Sequence, residues 1–124
     1  MKAILIVGLG GFFGTISRYM VGLVTIQHLS PTLPFGTLLV NLFGSFILGF
    51  FFGVFSKPSY HDWQLFLMTG FCGGFTTFST FSLDSLKMLR SGLITQFAVY
   101  NLVSLLGGLI LCFIGFWLSE KYLS

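Results

Sequence analysis

Two adjacent glycines and four hydroxyl side chains lie in the middle of one long apolar stretch of this chain, within residues 70–81. A helix that only spans lipid has no use for such a mixture. Polar or non-helical backbone at membrane depth is tolerated where it is buried in protein or lines a cavity. The segment therefore indicates a pathway through the membrane. Its glycines are Gly73 and Gly74, and its hydroxyl residues are Thr76, Thr77, Ser79 and Thr80.

Phenylalanine is interleaved with these hydroxyl groups. Phe75, Phe78 and Phe81 are spaced by three, which predicts one shared face of a helix. The edge of a phenylalanine ring is electropositive, so rings turned inward are able to contact an anion. The alternative is lipid-facing bulk, since the chain has 17 phenylalanines. The paired glycines predict a helix break near residues 73–77. Carbonyls freed by such a break would suit a cation, although the glycines are equally consistent with a simple packing kink.

Other polar groups lie inside the apolar stretches. Arg18 is either functional at a vestibule, where it would concentrate anions, or an anchor that reaches back to the membrane surface. Asn41 is either an interhelical hydrogen-bonding residue or a donor to a passing anion. Tyr100 and Ser104 are four residues apart and share a face, which lines a path or bonds a neighbouring helix.

The elements that must position these groups are membrane helices. Of the 124 residues, 55% are hydrophobic and 7% are charged, against about 25% charged in soluble domains. Four apolar stretches each reach the roughly 20 residues that a spanning helix needs. A turn-rich linker at 28–34 separates the first two. We therefore expect an all-α membrane protein with a single four-helix transmembrane domain over 1–124, the helices covering approximately 3–26, 36–55, 63–83 and 93–118.

Small residues recur four positions apart, as in Gly10 with Gly14 and Gly70 with Gly74, a spacing typical of closely packed membrane helices.

Cys72 and Cys112 lie within apolar stretches and are interpreted as small buried hydrophobic residues. The net charge of +3 is too small and too scattered to indicate nucleic-acid binding.

The positive charges are almost evenly divided between the two sides of a four-helix topology. The positive-inside rule then selects no orientation, which predicts insertion both ways and an antiparallel dimer of identical chains. The alternatives are that a small bias suffices or that an insertion factor decides. Four short helices also enclose little space, so a pathway is expected between chains. One side carries Lys2, Lys57 and Lys121, and the other Lys87, Arg90 and, if it reaches the surface, Arg18.

Several chemistries are missing from the chain. It has no intramembrane Asp or Glu, no nucleophile–base pair, no phosphate loop and no metal-ligating constellation, so an enzyme is not expected. Hydrogen-bond donors and the edges of aromatic rings, without a ring of acidic side chains, suit a small anion better than a cation. The alternatives are a small multidrug-type exporter, which would need a carboxylate deep in its first helix, and a non-conducting membrane assembly subunit.

Three sets of residues closely resemble the Fluc (CrcB) fluoride channels. They are Gly-Thr-Leu-Leu-Val-Asn at 36–41 followed by Gly-Ser-Phe at 44–46, the whole of 70–81, and Gly11-x-x-Gly14 with Arg18-Tyr19. The resemblance covers the full chain. It implies a dual-topology antiparallel homodimer with two pores at its interface. It also implies passive, highly selective fluoride export across the plasma (inner) membrane, which protects the cell against fluoride toxicity.

The resemblance also implies roles for individual residues. Phe78 and Phe81 correspond to the ring pair of the pores and Asn41 to the pore donor, while Arg18 matches the first-helix arginine, with a vestibule or structural role. The backbone carbonyls of Gly73 and Thr76, from both chains, correspond to the ligands of a central structural sodium ion. The implied polar track consists of Ser79, Thr80, Tyr100 and Ser104.

Overall fold

The computed structural model describes residues 1–28 and 33–123, a part of the chain that is almost entirely helical and contains no strand. A 3-10 turn at Pro58–Tyr60 precedes α3. Helix α3 occupies 61–75 and consists of three consecutive segments, His61–Trp63, Gln64–Cys72 and Gly73–Phe75, of which the middle one is π-helical. The remaining helices are α1 at Lys2–His28, α2 at Phe35–Val54, α4 at Phe78–Arg90 and α5 at Ile94–Leu123.

Three of these helices are long and apolar enough to cross a membrane, over Lys2–Ile26, Phe35–Val54 and Ile94–Leu123. The third predicted helix, at 63–83, is present as two shorter helices, α3 and α4, so its predicted break is confirmed. The all-α fold is likewise confirmed for the described residues. Of the predicted linker at 28–34, residues 29–32 lie outside the described part.

Glycines bring α1 and α3 into main-chain contact. A side chain at Gly10 would overlap the Phe66 carbonyl, and one at Gly14 the Phe71 carbonyl. From the other helix, a Cβ at Gly74 would lie 2.6 Å from the Gly11 carbonyl oxygen. The predicted spacing of small residues therefore serves close helix packing here.

Helix α2 packs along α5 in the same manner. A side chain at Gly49 would overlap the Cys112 carbonyl, and one at Gly115 the Phe46 carbonyl. Cys112 is half-buried there, whereas Cys72 is buried in α3, and both cysteines are free.

After the break, α4 turns to pack on α5. Its buried side chains Phe81 and Met88 form a small core with Tyr100 of α5. The connection between the two helices turns at Gly92, whose φ of 74° is a left-handed conformation that favours glycine. The two halves of the predicted third helix thus lie against different partners, α3 against α1 and α4 against α5.

Candidate functional site

The break between α3 and α4 consists of two extended residues. Thr76 has φ −87° and ψ 158°, and Thr77 has φ −150° and ψ 121°. Gly73, by contrast, keeps helical angles of −62° and −37°. The break thus lies within the predicted range of residues 73–77, but at the two threonines rather than at the glycines.

Several carbonyls lose their usual helical partners at this break, among them those of Gly73 and Thr76. In an unbroken helix the Thr77 N–H would donate to the Gly73 carbonyl and the Thr80 N–H to the Thr76 carbonyl. Instead, Thr77 N–H donates to Asn41 Oδ1 at 2.7 Å, and Thr80 N–H donates to Thr77 Oγ1 at 3.2 Å. Thr77 is therefore the N-cap of α4, a position that threonine favours. The carbonyls of Gly73 and Thr76 become available as oxygen ligands.

Asn41 forms hydrogen bonds with both main-chain polar groups of Thr77. Its Oδ1 accepts from the Thr77 N–H, and its Nδ2 donates to the Thr77 carbonyl at 2.9 Å. One turn further along α2, Ser45 Oγ donates to the Asn41 carbonyl at 2.7 Å. The paired bonds replace the two helical bonds that an extended residue gives up, so Asn41 is an interhelical hydrogen-bonding residue. Its second amide hydrogen is not used by this pair.

Arg18 holds another part of the break. Its Nε donates to the Gly74 carbonyl at 3.0 Å, and the residue is half-buried. This carbonyl would accept from the Phe78 N–H in an unbroken helix. Arg18 also lines a cavity of about 200 Å³ with Tyr19, Thr37 and Thr80. Arg18 therefore holds the backbone of the break and also places a cation beside a cavity.

A second cavity, of about 240 Å³, opens on the other side of the break between α2 and α5. In the described part of the chain, Ser104 Oγ is the one buried side-chain nitrogen or oxygen without a hydrogen-bond partner, and it belongs to this cavity. A cavity with a spare hydroxyl and a spare amide N–H is suited to a small anion. We call it the α2–α5 cavity; its lining consists of Asn41, Ser45, Leu48, Thr76, Thr77, Phe78, Phe81, Ser104 and Leu105.

The three interleaved phenylalanines do not share one helix face, so that prediction is wrong. Phe75 ends α3, where it is buried and stacked on Phe71 at 5.7 Å between ring centroids. Phe78 and Phe81 follow the break on α4 and have centroids 5.8 Å apart. The extended residues at 76 and 77 rotate the second half of the segment away from the first. Only the pair on α4 reaches the α2–α5 cavity.

The two rings of this pair differ in exposure. Phe81 is 8% exposed and packs against Tyr100, whereas Phe78 is 75% exposed and projects from the chain. One ring is thus fixed by the fold of this chain, and the other is presented outward.

The remaining predicted residues are distributed around the break. Tyr100 is buried and donates to Asp84 Oδ2 at 3.3 Å, outside the lining of both cavities. Ser79 is exposed beside Thr77, at 3.4 Å between hydroxyl oxygens. The structure therefore brings Asn41, Phe78, Phe81 and Ser104 into one cavity, places Thr80 with Arg18 at the other, and leaves Tyr100 and Ser79 apart from both.

Thr77 and Ser45 belong to the site, although the sequence singled out Thr77 only as one of four hydroxyl residues, and Ser45 only as part of a matching motif, with no role for either. Thr77 touches both cavities and makes the bonds that define the break. Thr77 could have been found from its place directly before α4, because threonine is favoured at the N-cap of a helix. Ser45 is four residues from Asn41 and so lies on the same face of α2.

Known proteins similar to this chain span almost its whole length. The family described as "CrcB-like protein, Camphor Resistance (CrcB)" matches residues 5–116. A protein of Bacteroides fragilis described as "Fluoride-specific ion channel FluC" is 40% identical over 98% of this chain and 99% of its own length. Proteins of the same description from Leptospira interrogans and Methanococcus maripaludis are 39% identical over 98% of this chain and 97% of the relative, and 44% identical over 93% of each.

Proposed function

Because the chain belongs to the CrcB-like family, we propose that it is a passive, highly selective fluoride channel that exports fluoride from the cytoplasm. Membership in this ion-channel family, together with three apolar helices of spanning length, makes the chain a multi-pass integral membrane protein and not an enzyme. The observation that carries the proposal is the α2–α5 cavity, in which two phenylalanine rings and hydrogen-bond donors meet beside an interrupted helix.

The chemistry of this cavity suits fluoride. A small, strongly hydrated anion enters a narrow passage only if donors replace its water. Asn41 has an amide hydrogen to spare and Ser104 an unpaired hydroxyl. Phe78 and Phe81 line the same cavity, where ring edges turned toward the ion would add positive electrostatic potential without a charge that would trap it.

We propose that two chains assemble as an antiparallel homodimer of dual topology, with two pores along their interface. Three features support this. Phe78 is 75% exposed, although it borders the cavity. A Cβ at Gly73 would meet no atom within 4 Å, so that face of α3 is bare. The nearly balanced distribution of Lys and Arg favours neither orientation.

A central structural sodium ion is part of the proposal, and the residues present fit it. The carbonyls of Gly73 and Thr76 are those whose helical donors are diverted to Asn41 and Thr77. Carbonyl oxygens are the donor type that hard cations select. Two such oxygens from each chain would hold the ion between the subunits. The ion would neutralise carbonyl dipoles that otherwise lie unpaired in the membrane.

Export requires no coupled energy source. Neutral hydrogen fluoride crosses the membrane from acidic surroundings and ionises inside. A negative interior then drives the anion outward at about 2.3 kcal/mol per charge for each 100 mV. The half-buried carboxylate of Asp84, in α4, is bonded to Tyr100 and is assigned no transport step.

The direct test is fluoride efflux from liposomes that contain the purified protein, measured with a fluoride electrode, with chloride as the comparison anion. We expect rapid fluoride efflux, no chloride efflux, and a fall of about tenfold or more for Phe78→Ala. Phe113→Ala is the matched control, because Phe113 is similarly exposed, at 67%, but lies away from the α2–α5 cavity. Absence of efflux from folded wild-type dimer would favour the assembly subunit, and proton-dependent uptake of lipophilic cations the exporter.

The sodium proposal has its own test. Preparing and assaying the protein with N-methylglucamine in place of sodium is expected to abolish fluoride efflux, and adding sodium back should restore it. Equal efflux from rigorously sodium-free protein would remove the ion from the proposal and leave the channel function intact.

A further inference from the structure

Helix α2 crosses the break at a position that has no side chain. Gly44 lies one turn from Asn41, on the same face of α2. A Cβ added at Gly44 would overlap the Thr76 Cγ2 methyl and would lie 3.2 Å from Phe75 Cδ1. The missing side chain therefore forms a recess that receives the first extended residue of the break.

Thr76 has little freedom to leave this recess. Rotation about its χ1 would move the methyl but would also remove its Oγ1, which donates to the Cys72 carbonyl at 2.8 Å. Its N–H donates to the same carbonyl at 2.9 Å. On its other side, the main chain of Thr77 is held by the two hydrogen bonds from Asn41. A methyl group at position 44 therefore has to displace the backbone of the break.

We propose that Gly44 is a positioning residue for the ion pathway, because its empty face seats the Thr76 methyl and so sets where the extended pair lies. This position in turn fixes the direction in which the Thr76 carbonyl points and the point at which Phe78 begins α4. The inference rests on the proposed channel function for its effect on transport, whereas the contact itself is a property of the fold.

A double-mutant cycle tests this contact. The variants are Gly44→Ala, Thr76→Ser and the two combined, and serine removes the Cγ2 methyl while keeping the hydroxyl that bonds Cys72. Gly8→Ala is the matched control, since a Cβ at Gly8 would meet no atom within 4 Å. Fluoride efflux and the thermal unfolding midpoint are measured for each variant in the full-length protein.

We expect Gly44→Ala to lower fluoride efflux by about tenfold or more, as overpacking against a fixed neighbour predicts. In the Thr76→Ser background, which lacks the Cγ2 methyl, the same alanine should cost much less, so the combined variant should conduct close to the level of Thr76→Ser alone. The unfolding midpoints should show the same non-additivity. Wild-type efflux from Gly44→Ala, or a loss that Thr76→Ser leaves unchanged, would overturn the inference. If the wild type conducts no fluoride, the channel proposal fails, and coupled or additive midpoints still decide whether the contact exists.

Discussion

Replacing Asn41 by leucine is expected to reduce fluoride efflux by about 100-fold or more. Leucine has a similar volume but removes both hydrogen bonds to Thr77, which join Asn41 Nδ2 to the carbonyl at 2.9 Å and Oδ1 to the N–H at 2.7 Å. Each buried group left unpaired costs roughly 1–3 kcal/mol, and the spare amide donor of the α2–α5 cavity is lost as well. The measurement is liposome efflux, together with the unfolding midpoint in detergent.

Asn101→Leu is the matched control for this variant. Asn101 is also a half-buried helical asparagine, but its amide donates to Ser85 Oγ at 3.0 Å and to the Phe97 carbonyl at 2.9 Å, away from the break. We expect it to lose some stability and to keep fluoride efflux. An Asn41→Leu protein that loses efflux but keeps the wild-type midpoint would show that Asn41 acts only as a donor to the ion, contrary to its bracing role.

Arg18→Leu is expected to lower fluoride efflux by about tenfold or more. The substitution leaves the Gly74 carbonyl without the charged donor that lies 3.0 Å away, and it removes a cation from the cavity beside Thr80. A hydrogen bond to a charged group contributes about 1.5–3 kcal/mol, so this carbonyl is expected to shift when the bond is lost. Efflux and unfolding midpoint are measured as before.

Two further variants separate the contributions of the bond and the charge. Arg18→Gln keeps a donor without the charge, and Arg18→Lys keeps the charge without the planar Nε group. If the bond to Gly74 dominates, glutamine should retain more efflux than lysine, with little dependence on ionic strength. If lysine conducts like wild type while glutamine fails, and the deficit changes with salt, Arg18 acts through its field on the anion.

Much of this arrangement could be predicted from the sequence, because its signals are local. Apolar length predicts the helices, and the paired glycines predict an interruption near residues 73–77. The exact residues of the break were less accessible. Glycine was expected to interrupt the helix, yet Gly73 stays helical and Gly74 admits α1, while the threonines take the extended conformation.

What the sequence alone did not reveal depends on residues far apart in the chain. Asn41 and Thr77 are separated by 36 residues, and Arg18 and Gly74 by 56. No periodicity within one helix indicates which carbonyl a distant side chain will meet. The face shared by Phe75, Phe78 and Phe81 was mispredicted for a related reason, since a three-residue spacing implies a shared face only while the helix is continuous.

The hold of Asn41 on main-chain atoms separates two tasks that a channel has to perform. From α2, Asn41 holds the bend through the N–H and carbonyl of Thr77, which are main-chain groups that every non-proline residue possesses. The rings at 78 and 81, by contrast, belong to α4. The aromatic part of the lining can therefore be altered with these hydrogen bonds preserved. If the chain is a channel, substitutions at the two aromatic positions are the ones that would change anion preference while the bend stays in place.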